Sequence, residues 1–241
     1  EQGKRSVEYY LNNIRQKINE NLKKYIPKGQ YPVASAILLG DRSEMTSLDV
    51  KSFRKSGILH ATAVSGLHLS YILGSFMLFL NVIKTKRKLK AAVSVVIIIA
   101  VMALTGFSPS VLRAGFMGII AAIAMLLAKE ADSINSLGLS LIVIMIITPT
   151  SAFDIRLVLS AVSTLGILVF SSPLINKAKV KYKNIRFNKI ITAVSSLFFI
   201  SFGAWIFTLP VIALYFNEVS MVGILTNIIL AYPIMVTLLV S

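Results

Sequence analysis

Residues 57–74, GILHATAVSGLHLSYILG, open a run to residue 83 that contains no acidic or basic side chain. About 20 apolar residues cross a bilayer as a helix, so the run is long enough to span. Into it the sequence sets His60, Ser65, Gly66, His68, Ser70 and Tyr71, and polar groups are costly in hydrocarbon unless they face partners or a wet path. The stretch reads as the polar seam of a membrane protein.

The whole chain has the same character. Of its 241 residues 56% are hydrophobic and 15% charged, too apolar for a soluble domain with a polar shell. An all-α, polytopic helical membrane protein is expected. The net charge of +15, from 25 Lys and Arg against 10 Asp and Glu, sits in loops and the N-terminal arm and suits lipid headgroups or nucleic acid alike. Cysteine is absent, which excludes disulfides and thiolate-bound metal. The chain starts at Glu1 without a signal-peptide pattern and stops inside an apolar run at Ser241, so both ends read as cut from a longer protein.

Ahead of the seam, Val7, Leu11, Ile14, Ile18, Leu22 and Tyr25 recur at helical spacing between Arg15, Lys17, Lys23 and Lys24. Residues 1–32 are thus a basic amphipathic arm, lying in the membrane interface, docked on a neighbour, or touching nucleic acid. Residues 33–241 form the membrane domain, opening with an apolar 33–39, a Gly40-Asp41-Arg42-Ser43 turn and a short interfacial helix. Windows of near-spanning length give about seven crossings, roughly 57–83, 89–106, 109–128, 134–149, 154–172, 189–216 and 219–241. Ser108-Pro109 and Asp154 mark helix starts, Pro149 closes the fourth crossing, and Pro210 and Pro233 predict kinks in the last two.

Orientation follows from the short loops. Those at 84–88, 129–133 and 173–188 carry Lys84, Lys86, Arg87, Lys88, Lys129, Lys177, Lys179, Lys181, Lys183 and Arg186, whereas those at 107–108, 150–153 and 217–218 carry no basic residue. The positive-inside rule puts the first set in the cytoplasm and residues 1–56 on the outer face, although that arm is itself basic.

Ala61, Ser65, His68, Ile72 and Ser75 share one helical face, and Arg156, Ser160, Ser163 and Thr164 form a second stripe. Ser201, Trp205 and Thr208 extend it on the sixth crossing, and Asn227 and Tyr232 on the seventh. Facing one another these groups wet the middle of a bundle; alternatively, each hydroxyl bonds its own helix and Asn227 glues two helices. Arg113 and Arg156 fall about one turn inside their helices' outer ends, where an arginine either snorkels to headgroups or forms a basic rim that steers an anion. The small ridge Ala114, Gly118 and Ala122 beside Arg113 favours packing on a neighbour.

Catalysis finds little footing. His60 and His68 stand roughly 12 Å apart along a straight helix, too far to share a metal, so no metal or cofactor is expected. Ser65 and His68, three apart, leave an intramembrane serine hydrolase as a remote alternative. No P-loop sequence is present. Asp132, Asp154 and Glu218 all lie at span ends, which weakens an ion-coupled carrier, though a transporter of another, anionic solute stays open.

LLGDRSEMTSLDVKSFRKSGILHATAVSGLHLSYILG, residues 38–74, resembles the signature region of the ComEC-type competence proteins, DNA-uptake channels of the bacterial inner membrane. The Gly-Asp-Arg turn at Asp41 and Arg42, the Phe-Arg-x-Ser-Gly-x-x-His step and the Ser-Gly-Leu-His core carry the likeness, which continues through FSPSVLRAGFMG (107–118), Asp132-Ser-x-Asn135, Asp154 to Ser160, and VGILTNIILAYPIM. Ser70 departs from it, standing where relatives often have a smaller residue. The resemblance implies a central competence domain conducting single-stranded DNA, not an enzyme in this segment. It also implies OB-like and nuclease domains elsewhere in the full-length protein, a DNA receptor and ATP-driven translocation partners. A polyanion needs a wet path lined by donors, and His60, Ser65, His68, Ser160 and Asn227 meet that need, with Arg113 and Arg156 at the mouth and Gly66 allowing close approach.

Overall fold

In the computed structural model, residues 7–27, 29–55, 66–181 and 188–216 are described, and every regular element among them is helical. The amphipathic arm forms α1 (Val7–Tyr25), followed by α2 (Tyr31–Leu39) and α3 (Ser47–Lys55). α2 stops at Gly40, whose φ of 76° is the left-handed conformation that glycine adopts without strain, with its N–H returned to the Ala36 carbonyl. The seam helix α4 is described over Gly66–Val82, and α5 (Arg87–Leu104) and α6 (Pro109–Leu126) follow. Pro109 opens α6 as expected, but the Ser108 hydroxyl makes no capping bond. α7 (Ser133–Ile147) is capped by Asp132, which accepts from the Asn135 N–H at 2.7 Å. Pro149 ends that crossing by starting a 3₁₀ turn to Phe153.

The fifth crossing departs from the sequence reading. α8 (Ile155–Gly166), capped by Asp154, runs through a π-helical turn at Ile167–Ser171 into α9 (Ser172–Lys181). Helix thus replaces the loop expected from residue 173. Lys177 and Lys179 ride exposed on the helix end, where long basic side chains reach water without ending the span. The last described helix, α10 (Asn188–Phe216), contains Pro210.

α6 is the hub: it packs on α4, α5, α7 and α8, while α10 lies along α8 and α9, and α1 rests on α2 and α5. Glycines permit the tightest approaches. Gly115 and Gly118 face Met102 and Ile98 of α5, and Ala122 is buried, so the ridge read beside Arg113 is a packing surface. Gly166 meets the Gly203 carbonyl and Gly203 meets Ser171, whose hydroxyl donates to the Phe199 carbonyl at 2.6 Å. The sealed core is small, Leu69, Ile98, Val101, Met102 and Val111, while Phe76, Phe79, Val96, Ile99, Ile142, Ile146 and Phe198 point outward. An apolar exterior around polar contacts is the pattern of a bundle solvated by lipid.

Among the described residues, three helices are long and apolar enough to cross a membrane, Pro109–Leu126, Ile155–Val180 and Ile191–Tyr215, with shorter apolar helices at His68–Val82 and Ser133–Ile147. That is fewer than the seven read from the sequence. α5 starts with Arg87, Lys88 and Lys90, and α7, at 15 residues, covers only about 22 Å. The first third of the first crossing and all of the seventh, with Pro233, lie outside the described residues.

Candidate functional site

The starts of α4, α6 and α8 converge at one end of the bundle. Arg113 of α6 is only 7% exposed, and its Nε donates to the Ser160 hydroxyl of α8 at 3.0 Å. Nη1 lies 3.4 Å from the Met117 sulfur, a weak acceptor on the same helix. A Cβ placed on Gly66 of α4 would stand 3.0 Å from Arg113 Nη2 and 2.9 Å from Ala114 Cβ, so Gly66 is what lets the guanidinium and α4 share that space. His68, two residues on, is buried at 2% exposure. Four residues named from sequence, Gly66, His68, Arg113 and Ser160, thus belong to one region of the bundle.

This corrects the position of Arg113. It is inside the bundle and neither snorkels to headgroups nor stands on a rim. Placing an arginine there costs several kcal/mol of lost hydration unless charge or donors and acceptors replace water. Among the described residues, the ion pairs are Lys23 with Glu44 and Arg156 with Asp154, so no carboxylate there neutralises Arg113.

Arg156 lies at the bundle end, its side chain 69% exposed. Its Nη2 donates to Asp154 Oδ2 at 2.7 Å, and the Asp154 carboxylate also caps α8 by accepting from the Arg156 N–H at 2.8 Å. The guanidinium hydrogen bonds lead the effects that hold the Asp154 pKa below its ordinary value. Nearby is Arg42, exposed, whose pKa is lowered first by desolvation and then by the charge of Arg156. Asp41 turns the chain by accepting from the Ser43 N–H at 3.0 Å, which together with Asn19 keeps its pKa low. Arg42 and Arg156 thus lie close to each other, and Arg113 meets α8 one turn further in, at Ser160.

A family model described as Competence protein matches residues 37–241. The chain belongs to the competence protein family. It is 24% identical over 226 residues to ComE operon protein 3 of Bacillus subtilis (strain 168), an alignment covering 93% of this chain and 27% of that protein. The chain therefore spans about a quarter of that relative's length. No solved structure matches.

Within this competence domain most hydroxyls of the seam turn back on their own helices. Ser70 and Ser75 donate to the Gly66 and Tyr71 carbonyls at 2.8 Å, Ser163 and Thr164 to Ser160, and Thr208 to Ala204. Ser70 is exposed, so its departure from the family pattern falls away from the packed face. Trp205 extends an aromatic row with Phe202, Phe198 and Phe170 rather than a wet stripe. Ser160 is the exception, because its oxygen receives Arg113. His60, Ser65, Asn227 and Tyr232 lie outside the described residues. Sequence reasoning missed Arg15, which reaches from α1 to the last carbonyls of α5; the signal available was one cation on the arm's apolar face.

Proposed function

We propose that this chain is the channel domain through which single-stranded DNA crosses the cytoplasmic membrane during natural competence. The observation that carries the reading is Arg113, a cation inside a membrane bundle, held by a serine and paired with no carboxylate among the described residues. Such a group favours a passing phosphate without trapping it as a multivalent site would, and carboxylates on the path would repel it. About seven crossings form the bundle. α1, α2 and α3 lie on the outer face beside the Arg42 and Arg156 mouth, and the basic ends at Lys84, Lys129 and Lys181 lie in the cytoplasm. Gly66, His68 and Ser160, with His60, Ser65 and Asn227, line or support the path.

The segment itself performs no covalent chemistry in this reading. Capture, strand degradation and pulling fall to a DNA receptor, an ATP-driven motor and the OB-like and nuclease segments of the full-length protein. The test is Arg113→Gln in the full-length protein of a transformable host, reading uptake of labelled DNA against surface-bound DNA. Uptake falls about a hundredfold, the scale of losing roughly 2.7 kcal/mol, while surface binding and membrane levels hold. Uptake near that of the unmodified protein sinks the reading.

A further inference from the structure

Two helices end side by side on the face that carries the mouth, α2 at Leu39 and α5 at Leu104. Helix C-termini carry roughly half a negative charge and carbonyls with no intrahelical donor. At α5, Gly106 N–H returns to Ala103 at 3.2 Å and Phe107 N–H to Met102 at 2.8 Å. The outward carbonyls are met by another helix: Arg15 of α1 donates from Nε to Leu104 at 2.7 Å and from Nη2 to Ala103 at 2.9 Å. A planar fork satisfies two adjacent carbonyls at once, which a lysine does not.

The α5–α6 turn is shaped around that guanidinium. Gly106 has φ +68°, and a Cβ there would stand 2.8 Å from Arg15 Nη2. Phe107 follows at φ 53°, a left-handed conformation that a bulky residue keeps only when its surroundings impose it. Ser108 and Pro109 then start α6, and Arg113 comes one turn later. From the other side α1 is held by Asn19, which donates to Asp41 at 3.3 Å and accepts from Ser35 at 2.9 Å, and by Lys23 paired with Glu44. A cavity of about 280 Å³ between these contacts is lined by Arg15, Asn19, Leu39, Gly40, Asp41 and Thr105.

We propose that Arg15 is a positioning residue of the conduit: its guanidinium clamps the α5–α6 turn to α1 and thereby sets where α6 carries Arg113. The arm, which precedes the residues matched by the family model, is then a working part of the mouth. The inference rests on the channel reading of Arg113. In the full-length protein, Arg15→Met lowers DNA uptake at least tenfold at unchanged membrane level, and Arg15→Lys, keeping the charge and one bond, gives an intermediate loss. Gly106→Ala evicts the guanidinium, so the double variant with Arg15→Met is no worse than the more severe single one. Reactivity of Ser160→Cys toward an aqueous thiol reagent shifts several-fold when Arg15→Met is added, and does not shift with Glu44→Gln, which breaks a different contact of α1.

Uptake within twofold of the unmodified protein for Arg15→Met, or losses that multiply in the double variant, overturns the clamp. Should Arg15→Met fail to reach the membrane, Arg15→Lys carries the test, and full uptake by it overturns the role of the fork. Loss with Arg113→Gln but none with Arg15→Met sinks the clamp alone, whereas indifference to both sinks the channel reading beneath it.

Discussion

Arg113 and Arg156 occupy matching places, each within the first turns of a helix that starts at the same end of the bundle, yet their circumstances are opposite. Arg113 is buried against Ser160 and Gly66, and Arg156 is exposed and paired with Asp154. A surface pair in high dielectric contributes little, about 0–1 kcal/mol, and weakens with salt. A buried cation held by one hydroxyl is sensitive to every group that touches it. Proximity to a helix start therefore does not decide an arginine's role; the neighbour across the helix interface does.

The largest break in that contrast comes at Gly66. A methyl group there would press on Ala114 Cβ, which cannot swing aside, so Gly66→Ala moves α4 off α6 and disturbs Arg113. Overpacking of this kind costs about 1–3 kcal/mol. Uptake of labelled DNA drops at least tenfold with the protein still in the membrane. An unchanged rate would mean that α4 and α6 are not closely apposed on the path.

Ser160 sharpens the same contrast at smaller scale. Removing the acceptor of a charged donor costs about 1.5–3 kcal/mol, so Ser160→Ala lowers thermal stability in detergent and uptake together. Ser163→Ala is the control, because that hydroxyl bonds the Ser160 carbonyl of its own helix at 3.0 Å. It stays within about 0.5 kcal/mol of the unmodified protein, as substitutions away from special contacts do. Equal effects of the two would remove the special standing of Ser160.

The helices and several starts are legible in the sequence, because apolar runs, Pro109 and Asp154 are local signals. α9 was hidden: lysines at 177 and 179 look like a loop, but snorkelling lets a helix carry them. The sequence marks both Arg113 and Ser160, one at a mouth and one in a stripe. Their pairing was not visible, because contacts between α6 and α8 leave no trace in the periodicity of either. Arg15 was harder still. Its place on the arm's apolar face sets it apart from Lys17 and Lys23, but its partners are backbone carbonyls nearly ninety residues away. The seam hydroxyls show the reverse failure, since a polar stripe on a helical face is also what self-bonded serines produce.

The smallest effect belongs to the rim, where salt and pH separate steering from structure. Arg156→Gln lowers DNA uptake about two- to fivefold near 10 mM salt, where the Debye length is about 30 Å, and hardly at all near 0.15 M, where it is about 8 Å. Asp154→Asn removes the opposing charge and raises uptake at low salt. Asp154 has a depressed pKa in the folded protein, so its pairing stabilises the fold above the ordinary carboxylate pKa and is lost only as pH falls through the depressed one. From about pH 5 to 8 the carboxylate stays ionised, and uptake by Asp154→Asn runs parallel to that of the unmodified protein. A salt response with a flat pH profile assigns the rim to steering. A loss by Arg156→Gln that persists at high salt would instead give Arg156 a contact of the kind that Arg113 makes inside the bundle.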